Sequence, residues 1–455
     1  MAEEQKREEK IRWLTDESIY PLLVKMAVPS MIGMIVSTVY SMTDTFFVGK
    51  LEDVDLTASV GIVFSFVSVI QAIGFWFGYG SGNYISRCLG RKDTEAAEQM
   101  AATAAGLAVI TGVFLAAAGL LTVRPLAEML GADEGRLLEA TEGYLRITLL
   151  SVPFMLLSNV LYNQLRLAGS GKDSMLGLLV GMLLNMVLDP VFILCFRMGV
   201  KGAALASMAG QISGVLVLLR TTKRNGNIRI DPKKITISGS LLKQILTGGA
   251  PNFCRQGISS ISSVLLNHAA AAFGNYAIAA LTIALRVSYI AYALVIGFGQ
   301  GFQPVCAINY GAKKYDRIRI AFRYTLITVS VFLCISTVVL AVGAGQMVGH
   351  FTQDAPTKAL AVALIRTQCV ILPFMGYYIL CGMFLQNIGK FLEATLVTIA
   401  ESGIFLIPCV LLLPRLFGLQ GLLWCKCAAS AMALVFSLLM GIRAWHRYLP
   451  DTYSK

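Results

Sequence analysis

Residues 175–219 read MLGLLVGMLLNMVLDPVFILCFRMGVKGAALASMAGQISGVLVLL, with only three charged side chains, Asp189, Arg197 and Lys201. A helix needs about 20 mostly apolar residues to cross a bilayer. The stretch divides at Arg197 into two such runs, 175–196 and 198–219, and so reads as a membrane hairpin. Outward from it the pattern repeats, giving twelve runs at 22–48, 56–77, 96–121, 145–165, 175–196, 198–219, 246–272, 278–302, 324–342, 360–385, 396–413 and 419–440. They are too long and too continuously apolar for the alternating strands of about ten residues that build a barrel. The composition agrees: 56% of the 455 residues are hydrophobic, 14% are charged and the mean hydropathy is +0.69. A soluble domain is about a quarter charged, so a cytosolic enzyme is excluded, as are a disordered chain and a disulfide-framed module.

The net charge of +12 is distributed by topology. Of the 38 Lys and Arg, 26 fall on the N-terminus, the even-numbered connections and the C-terminal tail, against 7 on the opposite loops, with five inside spans or near their ends. Cytoplasmic loops carry the excess of basic residues, so both termini are expected to be cytoplasmic in a multi-pass inner-membrane protein. The basic stretch RTTKRNGNIRIDPKK, Arg220 to Lys234, reads as a solvated linker with topogenic charge, and no nucleic-acid partner is expected. MAEEQKREEK at the start is too charged for a signal peptide.

Four landmarks recur in the same order at a separation of 219 to 222 residues. Pro29 pairs with Pro251, Gly78-Tyr-Gly-Ser-Gly82 with Gly297-Phe-Gly-Gln-Gly301, Pro153-Phe-Met155 with Pro373-Phe-Met375, and Gly199-Val-Lys-Gly202 with Gly418-Leu-Gln-Gly421. Because the offset covers six spans, both halves enter the membrane from the same side, as parallel repeats do in some transporters. The expected fold is an all-α polytopic membrane protein, with twelve transmembrane helices in two six-helix bundles related by a parallel internal repeat. Its parts are an N-terminal segment 1–21, an N-lobe 22–219, a basic linker 220–240, a C-lobe 241–442 and a C-terminal tail 443–455.

An ionisable side chain inside the bilayer is costly and marks function by default. Asp44 lies in the second half of the first span, in Tyr40-Ser-Met-Thr-Asp44. Asp189 lies in the fifth, within Asn185-Met-Val-Leu-Asp189-Pro190. Asn185 shares the face of Asp189, and Pro190 removes a backbone donor and frees carbonyls of the preceding turn. Together Asp44, Asn185 and Asp189 would make an oxygen cage for Na⁺, or a carboxylate pair sharing one proton, because a neighbouring carboxylate favours the protonated form. A cationic substrate then competes with the coupling ion for one charge, which is the requirement for antiport. Glu401 in the eleventh span is the third buried acid, with Arg255 and Arg286 as candidate partners. Tyr40, Asn163, Gln256, Arg286 and Glu401 are candidates for a substrate cavity, and Pro29 for a hinge in the first span. Catalytic signatures such as HExxH, GxSxG or a Walker loop do not occur, so no enzyme activity and no cofactor beyond the transported ion are expected.

On these residues the chain resembles the multidrug and toxic compound extrusion (MATE) transporters, in the DinF/MepA-like branch. The resemblance covers essentially the whole chain. It is carried jointly by Asn185-x-x-x-Asp189-Pro190, Gly202-Ala-Ala-x-Ala-Ser207, Arg166-x-x-Gly169 and Asn309-Tyr-Gly-Ala-Lys-Lys314. It implies a cation-coupled antiporter, driven by H⁺ or Na⁺, that exports organic cations from a cavity between two bundles set in a V, and a monomer is expected. It also implies a coupling site at Asp44, Asn185, Asp189 and Ser207, with Asn163 as a further polar position. The seventh span, PNFCRQGISSISSVLLNHA, and the tenth hold no acid, unlike the NorM branch, so a C-lobe Na⁺ site of that type is not expected. The alternative in the wider superfamily is a flippase for lipid-linked precursors, which would call for a cavity rich in Arg and Lys.

Overall fold

The computed structural model describes residues 2–49, 53–132, 135–224 and 226–450, and the side chains of all of these except 2, 38–46, 48, 49, 54 and 290. Every regular element described is helical. In chain order they are α1 (Ala2–Asp16), α2 (Ile19–Gly49), α3 (Val54–Gly90), α4 (Thr94–Leu121), the short α5 (Val123–Met129), α6 (Gly135–Leu167), α7 (Gly171–Pro190) and α8 (Gly199–Thr221). They continue as α9 (Gly239–Ala271), α10 (Asn275–Gly311), α11 (Tyr315–Gly349), α12 (Ala355–Cys369), α13 (Met375–Asn387), α14 (Phe391–Ile399) and α15 (Leu406–Tyr448). Among the described residues nine helical stretches are long and apolar enough to cross a membrane, and the bent pair of α12 with residues 372–387 makes a tenth. One of the nine, Phe391–Tyr448, is folded on itself where Gly418 takes φ 58 and ψ −136, and α9 supplies a further rod of 33 residues. The twelve expected spans are thereby accounted for.

The chain divides into two compact units, residues 1–17 with 28–249 and residues 18–27 with 250–455. The boundary cuts α2 between Ala27 and Val28, two residues before Pro29, across which the helix runs on without a break. The repeat is also written in the backbone. Lys92 and Lys313 adopt φ near +60, and Gly169 with Gly389 and Gly199 with Gly418 repeat the left-handed conformation at the same separation. Each pair stops one helix and aims the next.

In the first unit, α4 presents Ala97, Ala101, Ala104, Ala105 and Ala108 to the interior. A β-carbon added to Gly112 would meet the Cα of Pro153 in α6 at 2.5 Å. Small residues permit this closeness, which is how helices gain packing energy where lipid removes the hydrophobic drive between them. Outward-facing positions are apolar instead, as at Leu183, Val187 and Leu216. In the second unit one large core joins Leu266, Leu281, Leu333, Leu364 and Leu406.

Helix α1 and the basic linker are bound to the first unit. Leu14 is fully buried and Ile11 enters the core with Ile228 and Ile245. Arg7 donates to Glu98 at 3.0 Å and to the Asn227 carbonyl at 3.1 Å, while Lys10 donates to Asn227 at 2.8 Å and to the Ser170 hydroxyl. Lys234 pairs with Glu98 at 2.5 Å, and Thr236 is tied to Gln99 and Thr103 of α4. The linker is therefore strapped down where a solvated connection is expected, because Asn227 and Ile228 are buried and need partners.

Candidate functional site

Two glycine ladders build the site in the first unit. Gly177 and Gly181 of α7 lie against Gly214 and Gly210 of α8. A β-carbon on Gly181 would sit 2.8 Å from the Gly210 carbonyl oxygen, and one on Gly210 2.6 Å from that of Gly181. Backbones this close bring the next turn of α7 onto α8, and Asn185 reaches Ser207 at 3.1 Å. In the amide orientation that satisfies both of its ends, Asn185 Nδ2 donates to Asp189 Oδ2 at 3.1 Å, and its carbonyl accepts from Ser207 Oγ at 3.1 Å. Asn185 is 2% exposed and Asp189 is fully buried.

Directly after Asp189 the backbone changes. Pro190 ends α7, and Val191–Cys195 form a π-turn in which the Phe196 N–H bonds back to the Val191 carbonyl at 2.9 Å. Proline cannot donate to the ladder, and π-turns within α-helices concentrate at functional sites. The arrangement gathers a carboxylate, an amide and a hydroxyl in an apolar bundle. These are hard oxygen ligands, of the kind that suits a small cation.

Other expected site residues are placed differently. Asp44 and Tyr40 stand on α2, and their side chains lie outside the described residues. Asn163 is fully buried but committed elsewhere: it donates to the Asn159 carbonyl at 2.8 Å and accepts from Arg166 at 3.0 Å. That guanidinium stacks on the Tyr79 ring at 5.1 Å. Gln256 is half-buried on α9, and Arg286 of α10 is exposed.

Glu401 sits inside a second π-turn, Ala400–Phe405, which joins α14 to α15. Ser430 of α15 donates to its carboxylate at 3.3 Å. The hydroxyls of Tyr292 and Tyr378 lie within its electrostatic reach, and Arg255 reaches Tyr292 from α9. Ser430, Tyr292 and Tyr378 are not foreseen by sequence reasoning, since none breaks an apolar run conspicuously. The repeat offers no direct signal for them, since its register over Gly199–Gly202 and Gly418–Gly421 pairs Gly210 with Ala429 and not with Ser430.

Comparisons with known proteins follow the same division. The MatE family model matches residues 29–191 and again 251–411, once per repeat. The multidrug export protein MepA of Staphylococcus haemolyticus (strain JCSC1435) is 28% identical over 439 residues, covering 95% of this chain and 96% of that protein. A crystal structure of MATE in the bent conformation superposes with a TM-score of 0.90 at 25% identity, covering 97% of this chain and 98% of the other. An outward-facing multidrug resistance MATE family transporter of the MOP superfamily superposes with a TM-score of 0.88 at 25% identity, over 96% and 98% of the two chains.

Proposed function

The chain belongs to the MatE family, and from that membership we propose that it is a multidrug exporter driven by cation antiport. Its substrates are amphipathic organic cations, exchanged for H⁺ or Na⁺ by alternating access across the cytoplasmic membrane, with both termini inside. The observation that carries the reading is the Asn185–Asp189–Ser207 cluster beside the Pro190 break.

The cluster's physical chemistry supplies a coupling device. A carboxylate fully removed from water is costly to keep charged unless a cation or hydrogen bonds compensate it. Asn185 and Ser207 contribute dipoles, and Asp44 from α2 is the second carboxylate in this reading. With Na⁺ as the coupling ion, Asp44, Asn185 and Asp189 hold it; with H⁺, the two carboxylates share the proton. Loading the cation neutralises the site and releases a bound organic cation. Unloading restores the negative charge and recruits the next substrate. The π-turn lets α7 change length beside the site without unravelling, because its ladder is already offset by one residue.

The test is export of a fluorescent organic cation from cells and from liposomes carrying Asp44→Asn or Asp189→Asn. Each variant removes the switchable charge while preserving shape, so export is expected to fall at least tenfold for every substrate. Liposomes given a pH gradient without Na⁺, and then a Na⁺ gradient without a pH difference, identify the ion. Undiminished export by both variants removes the proposed site.

A further inference from the structure

The two halves treat one position in opposite ways. In the first unit Gly181 and Gly210 press backbone against backbone, and the polar cluster begins one turn later at Asn185. In the second unit Glu401 stands 220 residues after Gly181, and Ser430 of α15 donates to its carboxylate at 3.3 Å. The helix pair that is sealed by glycine in one half carries a polar side-chain contact in the other.

Three further elements converge on this contact. On α9, Arg255, Ile258 and Ser262 recur at helical spacing and form one stripe. Ser262 donates to the Ser402 carbonyl, and Ile258 lies against Gly403, so the stripe faces the π-turn that holds Glu401. Tyr292 of α10 lies within electrostatic reach of both Arg255 and Glu401. Tyr378 of α13 is 6% exposed, and its hydroxyl lies within reach of Ser430 and of Glu401. Glu401, Arg255 and Tyr292 are each half-buried and keep an accessible edge.

We infer that Arg255 and Glu401, with Tyr292 beside them, form a recognition site for zwitterionic amphiphiles, the guanidinium taking a carboxylate and Glu401 taking the cationic group. The inference rests on the export reading above and names a substrate class within it. The argument is one of charge conservation in a low-dielectric interior. A monocation seated on Glu401 would leave the Arg255 charge without its counter-charge, and an uncompensated buried charge is strongly unfavourable. A ligand carrying both signs meets both protein charges at once and strands neither. Guanidinium also matches carboxylate geometry through two parallel N–H donors, and the two phenol rings supply flat apolar flanks with a polar edge.

The experiment compares two dyes that differ in one charge, rhodamine B, which is zwitterionic, and its methyl ester, a permanent monocation. Binding to the purified full-length protein is followed by fluorescence anisotropy. In Arg255→Gln the ratio of zwitterion to ester affinity is expected to fall about tenfold, which is about 1.4 kcal/mol, while Arg255→Lys keeps most of it. Glu401→Gln is expected to weaken both dyes. A measurement needing no variant supports the same point: acidifying until the dye carboxylate is protonated should bring the two affinities together in the native protein. An unchanged ratio in Arg255→Gln, or no convergence on acidification, overturns the inference. Export from liposomes separates the two readings. Ester export without an Arg255-dependent preference removes this site alone, and an Arg255-dependent preference without export of either dye removes the export reading alone.

Discussion

Asp189 and Gly210 illustrate two opposite uses of a single position. Asp189 costs stability wherever it is buried, and the Asn185 amide at 3.1 Å offsets part of that cost. Gly210 contributes by having no side chain, since any β-carbon there would meet the Gly181 carbonyl oxygen at 2.6 Å. A Gly210→Leu substitution therefore forces α7 and α8 apart at the turn that holds Asn185 to Ser207. Overpacking of this kind costs about 1–3 kcal/mol, and export is expected to be lost with it. The control is Gly61→Leu, where nothing lies within 4 Å of the added carbon. Thermal unfolding in detergent should show a lowered midpoint for the first variant and little change for the second.

Among elements, α1 has the least obvious role, and its docking is open to titration. Burial of the Lys10 ammonium lowers its pKa to about 8, offset in part by Asp173 and reinforced by Arg7. Once undocked, Lys10 returns to the ordinary value of about 10.4, so the released helix binds more protons between those two pH values. Docking is therefore expected to strengthen as pH rises from about 8 to about 10.5. Hydrogen exchange of residues 2–16 should slow across that window beyond the intrinsic pH trend, and Lys10→Met should abolish the dependence. The spans themselves are legible in the sequence because the bilayer imposes length and composition on each. The docking of α1 is legible only in retrospect, from Glu3, Arg7, Ile11 and Leu14 recurring at helical spacing. The π-turns were not legible at all, because Pro190 marks only one of them. Proline is likewise an uncertain guide to breaks: Pro373 sits where the tenth span bends by 44°, while its counterpart Pro153 lies within an unbroken α6. Asn185, Asp189 and Ser207 could be read from spacing within helices and from family resemblance. Tyr378 and Ser430 required knowing which helices touch.

For the whole molecule, the repeat and the charge census carry a prediction about direction. Parallel halves enter the membrane from one side, so a single orientation sets the sense of both units at once. The bias of 26 basic residues against 7 lies mostly in short connections, where charge governs orientation. Part of it is also neutralised by folding, since Arg7 and Lys234 converge on Glu98 and Lys10 meets Asn227 beside Asp173. Those partnerships form after insertion, so the basic residues act on topology before they act on stability. A fluorescent protein fused after Lys455 is therefore expected to fluoresce in intact cells, and alkaline phosphatase fused there to be inactive. Phosphatase placed after Thr122, in an odd-numbered connection, should be active. Activity at 455 with none at 122 would place the linker and α1 outside the cell, reverse the direction of transport, and leave the basic surplus without a topogenic explanation.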